Sequence, residues 1–193
     1  MAVELDRALA AQVAQRFPAV EVVHADILQT NLGQWGPAAV AGNLPYYITS
    51  PLLERICRLG PLLHRAVVLV QLEVAQRLVA QPGSRDYGFL TVETQLFVQP
   101  EILFRVPPSA FSPPPKVESA AVRLLPRPAG AWGIGDPAGF LEFAGRCFRH
   151  KRKTLRNNLL PFCGRQVEAW PEARLRAEQI PLDQLVALYA RLA

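Results

Sequence analysis

The sequence is organised around one stretch, GNLPYYITSP at residues 42–51. An apolar run at 38–41 enters this stretch and a helical pattern at 52–59 leaves it, which predicts a strand, a tight polar turn and a helix. We expect Thr49 or Ser50 to cap that helix and the proline that follows them to occupy its first turn. Ligands bind to an open α/β sheet where strands end and such turns begin, so this turn is a candidate binding site.

The side chains of the turn suit a planar ring that carries an amino group. Asn43 offers an amide oxygen as acceptor, Pro45 stiffens the turn, and Tyr46 supplies a flat face. Together they favour an exocyclic amine on a nucleobase, held for attack on an activated methyl group. The same pattern also has a purely structural interpretation, because Asn-x-Pro turns often follow buried strands and paired tyrosines often pack at a domain edge.

Length and composition favour one domain with a small appendage. The chain has 193 residues, half of them hydrophobic, which is enough for a sizeable core. No apolar run reaches the roughly 18 residues of a membrane span, and the N-terminus lacks the pattern of a signal peptide. Cys57, Cys147 and Cys163 fit neither a zinc spacing nor a disulfide framework. These features predict buried thiols, no metal, no membrane partner and a cytoplasmic setting.

The positive charge is concentrated in one short segment. The net charge is +5, and residues 141–160 hold six Lys/Arg against one Asp/Glu. Residues 1–140 are balanced at 11 against 11, and residues 161–193 at four against four. The basic segment is therefore predicted to meet an anionic partner.

Strand and helix patterns alternate through the first two thirds of the chain, which predicts a mostly parallel α/β sheet. A Pro/Gly-rich stretch at 125–137 reads as a linker, and apolar residues at helical spacing follow it. We therefore predict an α/β domain at 1–128 and a small helical lobe at 136–193. The predicted strands are 2–5, 20–24, 38–41, 65–71, 98–106 and 117–124, and the predicted helices are 6–17, 52–59, 73–79, 87–97, 140–148 and 182–192.

Three polar residues end successive predicted strands: Glu4, Asp26 and Asn43. In an open parallel sheet the carboxyl ends of the strands lie along one edge, so these three residues would line the edge where ligands bind. A carboxylate at Glu4 can accept both ribose hydroxyls of a nucleoside cofactor, and Asp26 can accept from its adenine amino group while Ile27 packs on the ring. The alternatives are a solvated strand end for Glu4 and a helix or turn cap for Asp26.

Six segments resemble the ribosomal RNA adenine N6,N6-dimethyltransferases of the KsgA type, in order and over nearly the whole chain. They are VELD (3–6), ADIL (25–28), NLPYYI (43–48), QLEVAQRL (71–78), FSPPPKVES (111–119) and RKTLRNNL (152–159). The resemblance implies a Rossmann-like methyltransferase sheet with a C-terminal helical domain, and S-adenosylmethionine as cofactor. It also implies dimethylation of adjacent adenines in small-subunit rRNA, with the small ribosomal subunit or its precursor as partner.

The resemblance implies roles for residues in two of these segments. The Asn43 side chain and the Leu44 carbonyl would accept the two N–H groups of the adenine amine, so catalysis would be mainly positioning and electrostatics. Tyr46 and Phe111 would stack on the flipped base. Phe111 has an alternative as a plug beneath its Pro-rich loop, and Lys116 either holds a phosphate or is solvated.

The basic segment is predicted to bind RNA phosphates, since so large a local excess of cations usually meets phosphate. A solvated basic helix is the alternative. The predicted phosphate ligands, besides Lys116, are Arg146, Arg149, Arg152, Lys153 and Arg156.

One departure from the family pattern concerns the glycine-rich loop, which in the family lies on the strand and turn before the position of Glu4. Nothing precedes Met1 here. In the resembling fold that strand lies between those ending at Glu4 and Asn43, so we expect a sheet without its first strand and two rows of unpaired backbone groups. Either the chain is N-terminally truncated or it does not bind the cofactor normally. The alternative function is a non-catalytic RNA-binding or ribosome-assembly factor, or an inactive fragment of the enzyme.

Overall fold

The computed structural model describes residues 1–192 and distributes six strands between two sheets. Two parallel strands form a short ribbon: β1 (Ala2–Glu4) and β2 (Val22–His24). A four-stranded sheet has the order β3-β4-β6-β5, with β3 (Ala38–Asn43), β4 (Leu63–Gln71), β5 (Val98–Val106) and β6 (Ser119–Pro126). β3 and β4 are parallel, whereas β6 is antiparallel to both of its neighbours. The predicted α/β class is confirmed, with one strand reversed.

Seven α-helices lie in the described part of the chain. They are α1 (Arg7–Arg16), α2 (Thr49–Cys57), α3 (Leu72–Leu78), α4 (Phe89–Phe97), α5 (Pro137–Cys147), α6 (Leu155–Cys163) and α7 (Leu182–Ala190). The sequence predicted all of them within a few residues except α6. None of them has the length and apolar character needed to cross a bilayer.

The ribbon and the larger sheet are not joined by strand pairing anywhere in residues 1–192. β3 is consequently an edge strand of the larger sheet, and Ala39 and Ala41 are exposed along it. The segment that follows β2 does dock on the larger sheet, because Arg55 donates to the Thr30 carbonyl and Ile27 packs against the sheet core. The strands that end at Glu4 and Asn43 are therefore unpaired with each other, as the resemblance implies.

Two hydrophobic cores meet at helix α4. The sheet core is centred on residues that are fully buried, among them Leu53, Ile56, Val68, Val70 and Leu124. The lobe core is formed largely by α5, α6 and α7 and includes Phe140, Leu155, Leu159, Leu185 and Leu188. Leu90 of α4 belongs to the first core, whereas Val92 and Leu96 belong to the second. The division into two domains remains a prediction.

The predicted linker is attached to α4 instead of hanging free. The backbone N–H of Arg127 donates to the Phe97 carbonyl at 2.8 Å, and its side-chain Nε donates to the Gln95 carbonyl at 2.8 Å. Trp132 Nε1 donates to the Leu96 carbonyl at 3.1 Å. These bonds hold the Pro/Gly-rich stretch against the carboxyl end of α4, where the exposed helix carbonyls need partners.

Candidate functional site

The turn after β3 begins with a short 3₁₀ segment at Tyr46–Ile48 and continues directly into α2. Its geometry is set by the Pro45 carbonyl, which accepts from the Ile48 backbone N–H at 3.1 Å and from the Thr49 hydroxyl at 3.0 Å. The predicted Thr or Ser cap is wrong, because Thr49 is already inside the helix and its hydroxyl turns back to Pro45. Pro51 does lie in the first helical turn, as predicted.

Two hydrogen-bond acceptors stand unused at the carboxyl end of β3. Asn43 is exposed, and its side-chain amide makes no hydrogen bond within residues 1–192. The Leu44 N–H donates to the Leu69 carbonyl at 3.0 Å and its side chain is 5% exposed, so this peptide is fixed by the sheet. The Leu44 carbonyl accepts no bond from the described residues. The Asn43 amide oxygen and the Leu44 carbonyl oxygen thus both lack a hydrogen-bond donor among residues 1–192.

The ring of Tyr46 is held by a long-range hydrogen bond that sequence reasoning did not find. Its hydroxyl shares a hydrogen bond of 2.9 Å with Ser119 Oγ, 73 positions away in the chain. Ser119 is fully buried at the start of β6, and β4 lies between β3 and β6. The Tyr46 side chain therefore spans the carboxyl end of β4, and the residue is 38% exposed. The only sequence signal was the place of Ser119 at the end of the FSPPPKVES segment.

Phe111 and Lys116 lie on the loop at 107–118, which joins β5 to β6. β5 runs parallel to β4, because both are antiparallel to β6, so this loop lies at the same sheet edge as Asn43. Phe111 is half-buried and Lys116 is exposed. Phe111 makes no ring contact with Tyr46 in the described residues. The structure brings the two aromatic rings to one edge without stacking them, and the role of Phe111 stays a prediction.

The predicted cofactor ligands Glu4 and Asp26 lie together at the carboxyl end of the ribbon, where the Ala25 N–H donates to the Glu4 carbonyl at 3.0 Å. Each carboxylate also caps its own turn: Glu4 Oε1 accepts from the Asp6 N–H at 2.9 Å, and Asp26 Oδ1 accepts from the Leu28 N–H at 2.8 Å. One oxygen of each carboxylate is left for a ligand. The turn-cap alternative for Asp26 is therefore realised, and Glu4 caps a turn as well, although its predicted alternative was a solvated strand end. Cofactor binding by these residues remains a prediction.

The basic residues at 149–153 lie in an exposed turn between α5 and α6, so the helical conformation in the alternative of a solvated basic helix is wrong. Phosphate binding by these residues remains a prediction. Asn158, which is 2% exposed, fixes this turn from inside. Its Nδ2 donates to the Cys147 carbonyl at 2.9 Å and to the His150 carbonyl at 3.3 Å, and its Oδ1 accepts from the His150 N–H at 3.1 Å. One buried amide thus makes three of the hydrogen bonds that hold the turn carrying the cations.

The predicted phosphate ligands divide into paired and unpaired cations. Arg146 forms an ion pair with Glu142, and Arg156 forms one with Glu168. Arg149 lies over the ring of Phe162, with its guanidinium carbon 5.7 Å from the ring centroid. The remaining two predicted ligands of this segment, Arg152 and Lys153, are exposed and have no acidic partner in the part of the chain described.

The cysteines take no part in the candidate site. Cys57 and Cys147 are buried, as predicted, while Cys163 is half-buried. Burial, reinforced by the nearby Glu93 and Glu54 carboxylates, raises the pKa of the Cys57 thiol to about 12. Burial likewise raises the pKa of Cys147. Both thiols stay protonated at neutral pH and are poor nucleophiles, since the thiolate is the reactive form.

Comparison with known proteins assigns the chain to a family. The model of the ribosomal RNA adenine dimethylase family matches residues 1–192. The chain belongs to this family. The resemblance carried by the six sequence segments is thereby confirmed.

Curated relatives agree with this assignment. The ribosomal RNA small subunit methyltransferase A of Acidobacterium capsulatum is 42% identical over 207 residues, covering 100% of this chain and 73% of the relative. The protein of the same name from Chlorobaculum tepidum is 37% identical, covering 99% of this chain and 70% of the relative.

Solved structures share the fold. A dimethyladenosine transferase from Plasmodium falciparum superposes with a TM-score of 0.82 at 22% identity, covering 98% of this chain and 81% of that one. The 23S rRNA methyltransferase ErmE superposes with a TM-score of 0.69 at 28% identity, covering 98% of this chain and 80% of that one.

Proposed function

We propose that this protein transfers methyl groups from S-adenosylmethionine to the N6 atoms of adjacent adenines in small-subunit rRNA. The observation that carries the proposal is the pair of unused acceptors at Asn43 and Leu44 beside the anchored ring of Tyr46. The curated relatives described above are named as methyltransferases of small-subunit rRNA, which supports the choice of substrate.

The acceptors address the main chemical difficulty, which is that the adenine amine is a poor nucleophile because its lone pair is delocalised into the ring. Hydrogen bonds from its two N–H groups to the Asn43 amide oxygen and the Leu44 carbonyl favour a tetrahedral nitrogen with a localised lone pair. These two acceptors would hold the amine with its lone pair directed at the methyl group that the cofactor supplies, and the proton lost by the nitrogen would pass to solvent. Rate enhancement comes from positioning and preorganised dipoles, so no strongly basic side chain is required.

S-adenosylmethionine supplies an electrophilic methyl group on a sulfonium when it is bound. The residues at the ribbon fit the nucleoside part of that molecule, because the free oxygens of Glu4 and Asp26 can accept from ribose hydroxyls and from an adenine amine. Ile27 offers an apolar contact beside them. These residues would hold the nucleoside, and Asn43 would lie where the methyl group is received.

The target adenine has to leave its stack before it can reach the Asn43 amide. Aromatic faces compensate for lost stacking by about 1–3 kcal/mol per base. Tyr46 would provide one face, and Phe111, on the loop at the same edge, would provide the other once RNA is bound. Lys116, exposed on that loop, would contact a phosphate next to the flipped base.

The proposal is tested by incubating the full chain with unmethylated small-subunit rRNA and about 1 mM methyl-labelled cofactor. Nucleosides are then analysed by mass spectrometry. We expect N6,N6-dimethyladenosine from the wild type. Asn43→Ala should lose activity by roughly 10²-fold or more, which is the usual cost of removing one preorganised polar group that acts in the transition state. It should keep wild-type RNA affinity. Near-normal turnover by this variant would contradict the proposed role of Asn43.

A second candidate function is that of a non-catalytic RNA-binding or ribosome-assembly factor. The separation of the ribbon from the larger sheet favours it, because the candidate cofactor ligands lie on one sheet and Asn43 on the other. Tight RNA binding without any dimethyladenosine at 1 mM cofactor would support this function over the first.

A further inference from the structure

A cavity of about 520 Å³ opens at the amino edge of the larger sheet. Leu63, where β4 begins, and Pro126, where β6 ends, both line it. The linker residues 127–132 supply one of its walls. β4 has nine residues, so this edge lies about 26 Å from the carboxyl edge that carries Asn43. The cavity is therefore separate from the candidate base site.

The walls of the cavity are mainly apolar and come from both hydrophobic cores. Leu63 belongs to the sheet core and Leu96 to the lobe core, and both are buried. The partly buried Phe97, Trp132 and Ile134 line the cavity as well. Trp132 Nε1 already donates to the Leu96 carbonyl at 3.1 Å, so the indole has no free donor to offer. Walls of this kind favour a ligand with an apolar or aromatic body.

Arg127 is the one charged residue of the cavity lining within residues 1–192. Its position is fixed, because its Nε donates to the Gln95 carbonyl and its guanidinium carbon lies 5.2 Å from the centroid of the Trp132 ring. Its two terminal nitrogens have no acceptor and no acidic partner in the part of the chain described. A half-buried guanidinium with two free nitrogens matches the geometry of a carboxylate, which can accept from both.

We propose that this cavity binds a small carboxylate with an apolar or aromatic body. The body packs between Leu63, Phe97 and Trp132, and the carboxylate accepts from the terminal nitrogens of Arg127. One unpaired cation, without an acidic residue in the lining, balances one negative charge, which favours a monocarboxylate over a polyphosphate. The volume falls inside the range of about 300–1,000 Å³ that is usual for small-molecule sites.

A ligand in this cavity contacts residues of both cores and of the linker at once. Its binding accordingly stabilises the folded chain, because a ligand that binds only the folded state shifts the unfolding equilibrium. It leaves Asn43 and Leu44 accessible, since these residues lie at the other edge of the sheet. The cavity is thus a second ligand site, independent of RNA and of the methyl donor.

Binding is measured with the full chain by isothermal calorimetry, in the absence of RNA and cofactor. The probes are 2-naphthoate and the neutral 2-naphthamide, which share one aromatic body and differ in charge. The wild type is compared with Arg127→Gln, Ala131→Phe and a control, Arg65→Gln. Ala131→Phe places a bulky ring at an exposed position of the lining and leaves the contacts of Arg127 intact. Arg65 is an exposed arginine near the same sheet edge, outside the cavity lining.

We expect the wild type to bind 2-naphthoate saturably, about 10-fold or more tightly than 2-naphthamide, because only the carboxylate forms hydrogen bonds between two charged groups with Arg127. Arg127→Gln should bind both probes with the same weak affinity, Ala131→Phe should lose both, and Arg65→Gln should match the wild type. Equal affinity of the wild type for the two probes would overturn the proposal, as would undiminished binding of 2-naphthoate by Ala131→Phe. So would a loss of affinity in Arg65→Gln equal to that in Arg127→Gln.

Discussion

At the scale of single residues, the bond between Tyr46 and Ser119 determines how the candidate base platform is held. A phenylalanine would offer the same flat face as Tyr46, but it has no hydroxyl to bond with Ser119. The bond therefore explains why a tyrosine occupies this position. The ring is fixed at one end by the Pro45 turn and at the other by a buried residue of β6. Because the ring is already fixed, less side-chain conformational entropy is lost when a base binds to it.

This arrangement predicts equal and non-additive effects for Tyr46→Phe and Ser119→Ala. Each variant removes the same bond, so each should lower kcat/KM for methyl transfer by roughly 2- to 12-fold, which corresponds to about 0.5–1.5 kcal/mol. The double variant should be no worse than either single one. Cofactor affinity should not change, and the exposed Ser109→Ala serves as control. Fully additive losses would show that the two residues act separately.

At the scale of elements, the turn between α5 and α6 depends on a residue of the helix that follows it. The three bonds of Asn158 hold the backbone from Cys147 to His150, and Thr154 caps α6 by accepting from the Asn157 N–H at 3.4 Å. The sequence did not predict α6, because two asparagines and an internal proline are poor helix formers. The lobe core overrides that preference through the buried Leu155 and Leu159.

Asn158→Ala is expected to destabilise the protein by about 2–3 kcal/mol, because it leaves buried backbone groups unsatisfied. It should also weaken RNA binding, since the cations on the turn lose their fixed spacing. Urea unfolding measures the stability, and a fluorescence-anisotropy titration of labelled RNA with the protein measures the affinity. Asn157→Ala, at the neighbouring exposed position, should be nearly neutral in both measurements. Wild-type stability in Asn158→Ala would contradict the proposed anchoring of the turn.

At the scale of the whole molecule, the separation of the ribbon from the larger sheet bears on cofactor binding. Glu4 and Asp26 are positioned by the ribbon, and Asn43 by the larger sheet, without strand pairing between them in residues 1–192. A ligand that must contact both has to fix their relative position on binding, which reduces its affinity. We therefore expect S-adenosylmethionine to bind the 193-residue chain with a Kd well above 1 μM. Isothermal calorimetry that gives micromolar affinity would refute this.

A second molecular property is the pH dependence of stability, to which Glu93 of α4 contributes. Burial and the nearby Glu54 carboxylate raise the pKa of Glu93, and the Arg58 guanidinium only partly opposes them. Because the folded-state pKa lies above the unfolded one, the stability contribution is complete below the unfolded pKa and is lost as pH rises through the folded pKa.

Glu93→Gln should consequently be more stable than the wild type at pH 7 and little different at pH 4. Each 1 kcal/mol recovered corresponds to an increase in Tm of about 2–4 °C for a chain of this size. Thermal unfolding followed by circular dichroism between pH 4 and 8 measures the difference. Glu73→Gln, an exposed glutamate in α3, is the control. A difference in Tm that does not vary with pH would contradict the assignment to this carboxyl group.

The sequence by itself determined those features that depend on residues close together in the chain. The strand, turn and helix around Asn43 follow from local periodicity and turn chemistry, and the six ordered segments identified the family. The cluster of cations in the basic segment was also visible in the sequence, because the charge of a short segment depends only on the residues within it. The predicted helix cap at Thr49 or Ser50 is a local feature that was nevertheless wrong. Thr49 lies inside the helix, and its hydroxyl donates to the Pro45 carbonyl of the preceding turn.

Only the tertiary structure decided which of these residues act together. Ser119 reaches Tyr46 across 73 positions, and Lys151 reaches Arg85 across 66. Ion pairs with Glu142 and Glu168 neutralised two predicted phosphate ligands, and the linker proved to be bonded to α4. Such pairings depend on where packing of the two cores places distant segments. A hydrogen bond or an ion pair requires its atoms to be within a few ångströms, and spacing along the chain does not determine that distance.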